Sequence, residues 1–198
     1  MSIKKIGLDI DDTITNTHVV LMKYAIKYNM EHENKPLIKY NTNNFGEAFN
    51  WSDEEVENFF RTYYLDALNE IEPKANAKEV LTKLKSEGYE IIFVTIRNDR
   101  ECGGENEAKR ITLEWLNKYD IPFNELHVGI FDKKKFCLEN SIDVFMDDSI
   151  NTINNIKDTN IKTLLAMNIY NNDYQDDNVT NIYSMDELYN VIHELDNN

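Results

Sequence analysis

Two short apolar runs in this chain each end in a pair of aspartates, and this pattern constrains the fold more than any other feature. The first run leads into Asp9 and Asp11, and the second into Asp147 and Asp148. An apolar run that passes into a polar loop is typical of a buried strand. Because open parallel sheets bind ligands at the carboxyl ends of their strands, we expect these carboxylates to meet in one crevice.

Strands and helices are predicted to alternate from about Asn76 onward. Helices are predicted over 76–87, where Asn76 and Glu79 have the spacing of a capping box, over 105–119, from about 132 and from 184. The predicted strands lie within 3–10, 89–97, 126–129, 142–149 and 161–167. This order predicts an α/β fold, a doubly wound, Rossmann-like parallel sheet with helices on both faces.

The interval 16–75 breaks the alternation. It contains one predicted helix over 18–30 and a second that begins at Ser52, with Glu55 three residues later. The interval is far longer than ordinary connections of about 4–6 residues. We therefore expect an α/β core made of 1–15 and 76–198, with 16–75 as a helical cap inserted after the first strand.

The charge balance limits the partners of the chain. Acidic residues outnumber basic ones by 36 to 21, which gives a net charge of −15 and argues against nucleic acid polymers and anionic membranes. The apolar run after Lys4 and Lys5 stops at Asp9, so neither a secretory signal nor a membrane helix is predicted. Cys102 and Cys137 show no metal-binding spacing. We expect a cytoplasmic protein. A homodimer is compatible with the sequence.

The clustered acids predict a cation. Alternation along a strand places Asp9 and Asp11 on one side. Four carboxylates in one crevice repel one another unless a cation lies among them, and all-oxygen ligands favour Mg²⁺ when phosphate is present. We therefore take Asp9, Asp11, Asp147 and Asp148 as candidate metal ligands. The alternative is that they act only as helix caps and turn formers.

Two further residues are candidates for binding an anion at this crevice. Thr95 ends the second predicted strand, where its hydroxyl and the following backbone N–H groups can hold phosphate. A lysine after the third strand would neutralise a phosphoryl group, and three consecutive residues qualify: Lys133, Lys134 and Lys135. Spacing favours Lys133, at the start of a predicted helix.

These residues resemble the motifs of the haloacid dehalogenase superfamily. The segment DIDDT, from Asp9 to Thr13, is similar to its Asp-x-Asp-x-Thr motif, and Thr95, Lys133 and the DDS segment at 147–149 are similar to its three later motifs. Several segments between 93 and 149 further resemble bacterial nucleotidases related to the 5′(3′)-deoxyribonucleotidases. In that comparison Arg97 matches, whereas Ile96 replaces a small residue and no proline follows Arg97.

The resemblance implies a phosphatase with a two-step mechanism. Asp9 would attack phosphorus and form an aspartyl-phosphate, and Asp11 would act as acid and then as base. Mg²⁺ would be held by Asp9, the Asp11 carbonyl and Asp148 or Asp147, while Thr95 and Lys133 would bind the phosphate oxygens. Thr13 would orient Asp11 and its loop.

The resemblance also implies a small phosphomonoester as substrate, with a nucleoside monophosphate expected. Some of the cap aromatics could stack on a base, although most are expected to form the core of the cap: Phe45, Phe49, Trp51, Phe59 and Tyr63. One alternative is a phosphatase for another small phosphorylated metabolite. A second is a receiver-like phospho-acceptor domain, which the glycine at 129 and the long insertion disfavour.

Overall fold

The computed structural model describes residues 3–197, which form one six-stranded sheet flanked by helices. The strands are β1 (Lys5–Leu8), β2 (Glu90–Val94), β3 (Glu125–His127), β4 (Val144–Asp147), β5 (Lys162–Ala166) and β6 (Val179–Ile182). The α-helices are α1 (Thr17–Tyr28), α2 (Phe45–Phe49), α3 (Asp53–Glu70), α4 (Ala77–Ser86), α5 (Glu107–Lys118), α6 (Lys133–Glu139), α7 (Ile150–Ile156) and α8 (Met185–Asp196). A π-helical turn, Asn29–Glu33, follows α1.

All neighbouring strands are parallel, in the order β3-β2-β1-β4-β5-β6. This is the Rossmann order, in which the chain reverses direction across the sheet between β1 and β4. The predicted doubly wound α/β fold is confirmed. The order also differs from the 2-1-3-4-5 order of flavodoxin-like receiver domains, which counts against the receiver alternative.

Two local predictions differ from the structure. The capping box at Asn76 does not form, because Asn76 has a left-handed backbone (φ 61°) and its amide donates instead to Asp186, at 2.7 Å. The edge strand β6 was not predicted, since its sequence VTNI lies among polar residues and only Ile182 is buried. The helix that begins after Ser52 has its full capping box with Glu55.

The interval between β1 and α4 has a hydrophobic cluster of its own. This cluster joins α1, α2 and α3 and includes Tyr28, Phe49 and Phe59. The chain enters and leaves the interval side by side: Thr15 pairs with Pro73 in an isolated antiparallel bridge. The division into a core and an inserted cap stays a prediction, and these contacts agree with it.

Gly7 allows β1 to pack closely against the neighbouring strand. A Cβ at Gly7 would lie 2.7 Å from Cδ2 of Phe145 and 3.1 Å from Cγ2 of Ile142. We expect Gly7→Ala to lower the free energy of unfolding by about 1–3 kcal/mol, since overpacked cores must shift. Urea denaturation measures this loss, and adding Phe145→Leu should recover part of it. An unchanged midpoint in Gly7→Ala would contradict the close packing.

Candidate active site

The two acidic segments meet at the carboxyl edge of the sheet. Strands β1 and β4 pair in register, with Leu8 opposite Met146, and the backbone N–H of Asp9 donates to the Met146 carbonyl at 2.9 Å. Asp9 and Asp147 therefore leave adjacent strands side by side, and both are buried. The convergence predicted from the sequence is present in the structure.

Lys133 joins these two aspartates. It is the first residue of α6, only 5% of its side chain is exposed, and its Nζ lies 2.6 Å from Oδ1 of Asp9 and 2.6 Å from Oδ2 of Asp147. The two carboxylates raise the pKa of Lys133 although burial acts to lower it. Lys134 and Lys135 are exposed. Of the three candidate lysines, the structure therefore brings Lys133 to the aspartates.

The crevice holds more negative than positive charge. Burial raises the pKa of Asp9, because the Lys133 ammonium offsets only part of the lost hydration and Asp147 and Asp11 repel the charged form. Burial, together with repulsion from Asp147 and Asp9, raises the pKa of Asp148 well above its usual value. A cation bound beside these two carboxyl groups would lower their pKa values and favour the ionised form.

Asp147 and Asp148 differ in what their oxygens already bind. Both oxygens of Asp147 are engaged, because Oδ2 accepts from Lys133 and Oδ1 accepts from the backbone N–H of Ser149 at 2.9 Å. Asp148 accepts a hydrogen bond on Oδ2 only, from the Tyr170 hydroxyl at 2.7 Å. Asp148 therefore has the freer carboxylate of the pair.

Asp11 is held by a residue whose importance the sequence did not reveal. The Arg97 guanidinium, with 2% of its side chain exposed, donates from Nε to Oδ2 at 2.7 Å and from Nη2 to Oδ1 at 2.6 Å. Thr17, at the start of α1, adds a hydrogen bond to Oδ1 at 2.7 Å. Burial acts to raise the pKa of Asp11, but Arg97 and Thr17 outweigh it and hold the pKa below its usual value. Asp11 is thus bound as a carboxylate in this conformation.

The orienting role expected of Thr13 belongs to its neighbours. The Thr13 hydroxyl is buried and has no hydrogen-bond partner among the described residues. Thr15 instead accepts from the Asp12 backbone N–H at 3.0 Å and donates to the Ile10 carbonyl at 2.9 Å, and Thr17 contacts Asp11. The contacts expected of the Thr13 hydroxyl are therefore made by Thr15 and Thr17 in this structure.

Asp12 binds partners other than those that hold Asp11, and its contacts fix the loop after β1. It has a left-handed backbone (φ 56°), and its carboxylate accepts from the His18 backbone N–H at 2.7 Å and from the Tyr170 hydroxyl at 2.9 Å. Burial raises its pKa to about 6 although both bonds act to lower it. Its carbonyl accepts from Lys74, at 2.7 Å, and from Asn168. Every one of these contacts stabilises an otherwise unfavourable backbone conformation.

Tyr170 was missed by sequence reasoning. It lies among asparagines in the loop after β5, where its hydroxyl links Asp12 to Asp148, and Asn171 donates to the Asp148 carbonyl at 2.8 Å. No local sequence pattern around Tyr170 predicts these contacts. They form only because the chain after β5 folds back onto the loop that follows β1.

Thr95 follows β2, the strand that pairs with β1, and is completely buried. Its hydroxyl accepts from the Arg97 backbone N–H at 3.2 Å, and its own N–H donates to the His127 carbonyl. A phosphate could reach it only after a local opening of the crevice. The role of Thr95 in phosphate binding therefore stays a prediction.

The cap aromatics that could have stacked on a base are buried, at 9% exposure or less: Phe45, Phe49, Trp51, Phe59 and Tyr63. Trp51 stacks on Phe49 with ring centroids 4.7 Å apart, and its Nε1 donates to Asn29 at 3.1 Å. These rings form the interior of the cap segment, as the sequence favoured for most of them. They offer no free face to a ligand in this conformation.

Within residues 3–197, no three side chains of histidine, cysteine, aspartate or glutamate are grouped closely enough to hold a metal ion by themselves. A metal at this crevice would need backbone or substrate oxygens in addition to carboxylates. Over the same residues, none of the helices is both long enough and apolar enough to cross a membrane.

Comparisons with known proteins support the resemblance. No family model matches the chain. A protein named nucleotidase from Clostridium acetobutylicum is 26% identical over 191 residues, which covers 96% of this chain and 94% of the relative. The structure resembles a haloacid dehalogenase-like hydrolase from Streptococcus pneumoniae, with a TM-score of 0.67, 14% identity and coverage of 96% of this chain and 98% of the other.

A second solved structure, described as a predicted phosphatase from Clostridium acetobutylicum, gives a TM-score of 0.65 at 15% identity, with 98% of this chain and all of the other covered. Identities this low show the fold alone. The chain therefore has the fold of solved haloacid dehalogenase-like hydrolases, which is the fold that the resemblance in sequence implied.

Proposed function

We propose that this protein is a Mg²⁺-dependent phosphomonoester hydrolase that acts on nucleoside monophosphates through an aspartyl-phosphate. The observation that carries the proposal is the buried contact of Lys133 with Asp9 and Asp147 beside Asp148, at the carboxyl edge of a Rossmann-type sheet. The likeness to a protein named nucleotidase supports the choice of substrate.

Asp9 is the proposed nucleophile. Its carboxylate oxygen would form a bond to phosphorus as the bond from phosphorus to the leaving oxygen breaks, and water would then cleave the aspartyl-phosphate. Lys133 keeps a positive charge beside Asp9, since the pKa of Lys133 is raised. That charge favours the ionised nucleophile and would stabilise the charge on the phosphoryl oxygens.

The residues of the crevice fit a divalent cation. Its charged side chains are five aspartates (Asp9, Asp11, Asp12, Asp147 and Asp148) and three cations (Lys74, Arg97 and Lys133). With all five carboxylates ionised, the formal charges leave an excess of two negative charges, which Mg²⁺ would neutralise. Without such a cation, burial and mutual repulsion raise the pKa values of Asp9, Asp12 and Asp148.

Asp9, Asp148 and the backbone carbonyl of Asp11 are the proposed ligands of this ion. Both carboxylate oxygens of Asp11 and of Asp147 already accept hydrogen bonds, so these side chains are less suited to the role. Asp9 accepts one on Oδ1 only, from Lys133, among the described residues. Mg²⁺ commonly uses one or two carboxylates and substrate phosphate, and it would supply Lewis-acid stabilisation of the phosphoryl oxygens.

Asp11 is the proposed acid for the leaving oxygen, and the structure shows what this role would require. A carboxyl held by Arg97 and Thr17 with a lowered pKa has no proton to donate. To act as an acid, Asp11 would have to turn from Arg97 toward the substrate and become protonated. Thr17 opens α1 of the cap segment, so movement of that segment would release one of these bonds.

Phosphate release from a panel of nucleoside monophosphates, sugar phosphates and phenyl phosphate tests the proposal. We expect release with Mg²⁺, at least about 100-fold slower release with EDTA, and a preference for nucleoside monophosphates. Lys133→Met should remove activity, whereas the exposed Lys134→Met serves as the matched control and should retain it. Release unaffected by EDTA would contradict the metal, and absence of release from every ester would contradict the enzyme class.

A further inference from the structure

Two large apolar side chains are exposed beside the proposed phosphoryl site. Ile96 follows Thr95 directly and is 51% exposed, and Phe131 lies two residues before Lys133 and is 72% exposed. Single exposed apolar residues are common on protein surfaces and need no explanation. These two differ because both lie in loops that leave the carboxyl edge of neighbouring strands β2 and β3.

Hydrogen bonds hold the two loops together. The Gly129 N–H donates to the Arg97 carbonyl at 2.7 Å, and the Ile130 N–H donates to the Thr95 carbonyl at 3.0 Å. Ile96 lies between the two acceptor residues of the first loop, and Phe131 directly follows the second donor residue in the other loop. The backbones that carry the two side chains are therefore fixed beside each other.

The sheet register places the nucleophile close to the loop that carries Ile96. Gly7 and Phe145 approach each other on the face that also buries Val94, and Asp9 follows Gly7 by two residues on this face. Leu8 is opposite Phe93, so Asp9 comes opposite Val94, the last residue of β2. Ile96 lies two residues beyond Val94 in the loop that leaves this strand.

A phosphoryl group at Asp9 and Lys133 must direct its leaving group outward, since both side chains are buried beneath it. The five buried aromatics of the cap segment described above offer no free face to this group. Ile96 and Phe131 do offer one, and neither carries charge in a crevice dominated by carboxylates.

We propose that Ile96 and Phe131 bind the leaving group of the substrate and select for a planar ring, such as a nucleobase or an aryl group. This inference rests on the proposed phosphatase function and adds where the ring binds. A flat ring covers an aromatic and a branched aliphatic side chain well, whereas a small hydroxylated chain gains little from either.

The test compares phenyl phosphate with glycerol 2-phosphate as the ratio of their kcat/KM values. We expect Phe131→Ser to lower this ratio about tenfold and Ile96→Ser to lower it several-fold. Phe131→Leu, which keeps an apolar contact, should recover part of the loss. The matched control is Leu138→Ser, an exposed apolar residue (47%, against 51% for Ile96) near the C-terminal end of α6, which should leave the ratio and the activity unchanged.

The substituted side chains are exposed, so the variants should fold, and thermal unfolding checks this. A ratio that stays the same in both serine variants would overturn the inference. Equal losses of kcat/KM on both esters also leave the ratio unchanged. Such losses would indicate that the residue positions the cap and does not bind the leaving group. If the unmodified enzyme hydrolyses neither ester nor any nucleotide, the proposed function itself fails, and this result is distinct from an unchanged ratio.

Discussion

Asp9→Asn is expected to lower phosphate release by at least about 10⁴-fold. Replacing a nucleophile removes the covalent step, and losses of this size or larger are typical of such replacements. The amide has the shape of the carboxylate but can form no stable bond to phosphorus. Release of inorganic phosphate from phenyl phosphate measures the effect, with Mg²⁺ in excess.

The fold should survive this substitution. Burial raises the pKa of Asp9, so the fold gains little stability from the charge of this side chain, and a neutral amide should change the free energy of unfolding by about 1 kcal/mol or less. Lys133 keeps its second partner, Asp147. A well-folded Asp9→Asn variant that retains activity would contradict the role of Asp9.

Asp143→Asn is the matched control for Asp9→Asn. Asp143 precedes β4 at the opposite edge of the sheet, where its Oδ2 accepts from the backbone N–H groups of Lys4 and Lys5, each at 2.9 Å. An amide oxygen can still accept these bonds. Activity should therefore stay within about twofold of the unmodified protein, and a large loss here would mean that any carboxylate replacement is damaging.

The second large effect is a loss of stability, which we expect when the Arg97–Asp11 pair is broken. Asp11→Asn leaves the Arg97 guanidinium buried without a charged partner, and breaking a buried ion pair costs about 3–5 kcal/mol of unfolding free energy. Arg97→Met leaves the Asp11 carboxylate with Thr17 alone and should also destabilise the protein. The double variant should lose much less free energy of unfolding than the sum of the losses in the two single variants.

Urea denaturation of the four proteins in this cycle measures the coupling, which we expect to be about 2 kcal/mol or more. The pair of Arg110 and Glu114 on α5 provides the control cycle, since both side chains are more than half exposed. Exposed pairs of this kind couple by only about 0.3–0.5 kcal/mol. Equal coupling in the two cycles would contradict the claim that Arg97 and Asp11 form a buried, mutually dependent pair.

The sequence predicted the elements that depend on local pattern. The five strands that combine apolar runs with clear turn signals are present, and so is the helix that begins after Ser52. The strand β6 was missed because an edge strand needs little burial and therefore shows little hydrophobic pattern. The capping box at Asn76 failed because a more distant acceptor, Asp186, competes for its side chain.

Among the candidate site residues, the sequence singled out the acids at the two strand ends and favoured Lys133 over its neighbours by its place at a helix start. The structure brings Lys133 into contact with Asp9 and Asp147. The sequence did not identify Tyr170 or the partners of Asp11, because these contacts join segments far apart in the chain. Arg97 is an example: it matched a family pattern, yet nothing near it indicates that it binds Asp11 from the adjacent strand.

The sequence by itself determined the sheet, the alternation of strands and helices, and the edge at which the aspartates gather, because periodicity and strand-end polarity are properties of neighbouring residues. Only the tertiary structure decided which oxygens remain free, which carboxylates are paired with cations, and which apolar side chains stay exposed beside the site. Those features depend on burial and on distances between remote segments, and both exist only once the chain has folded.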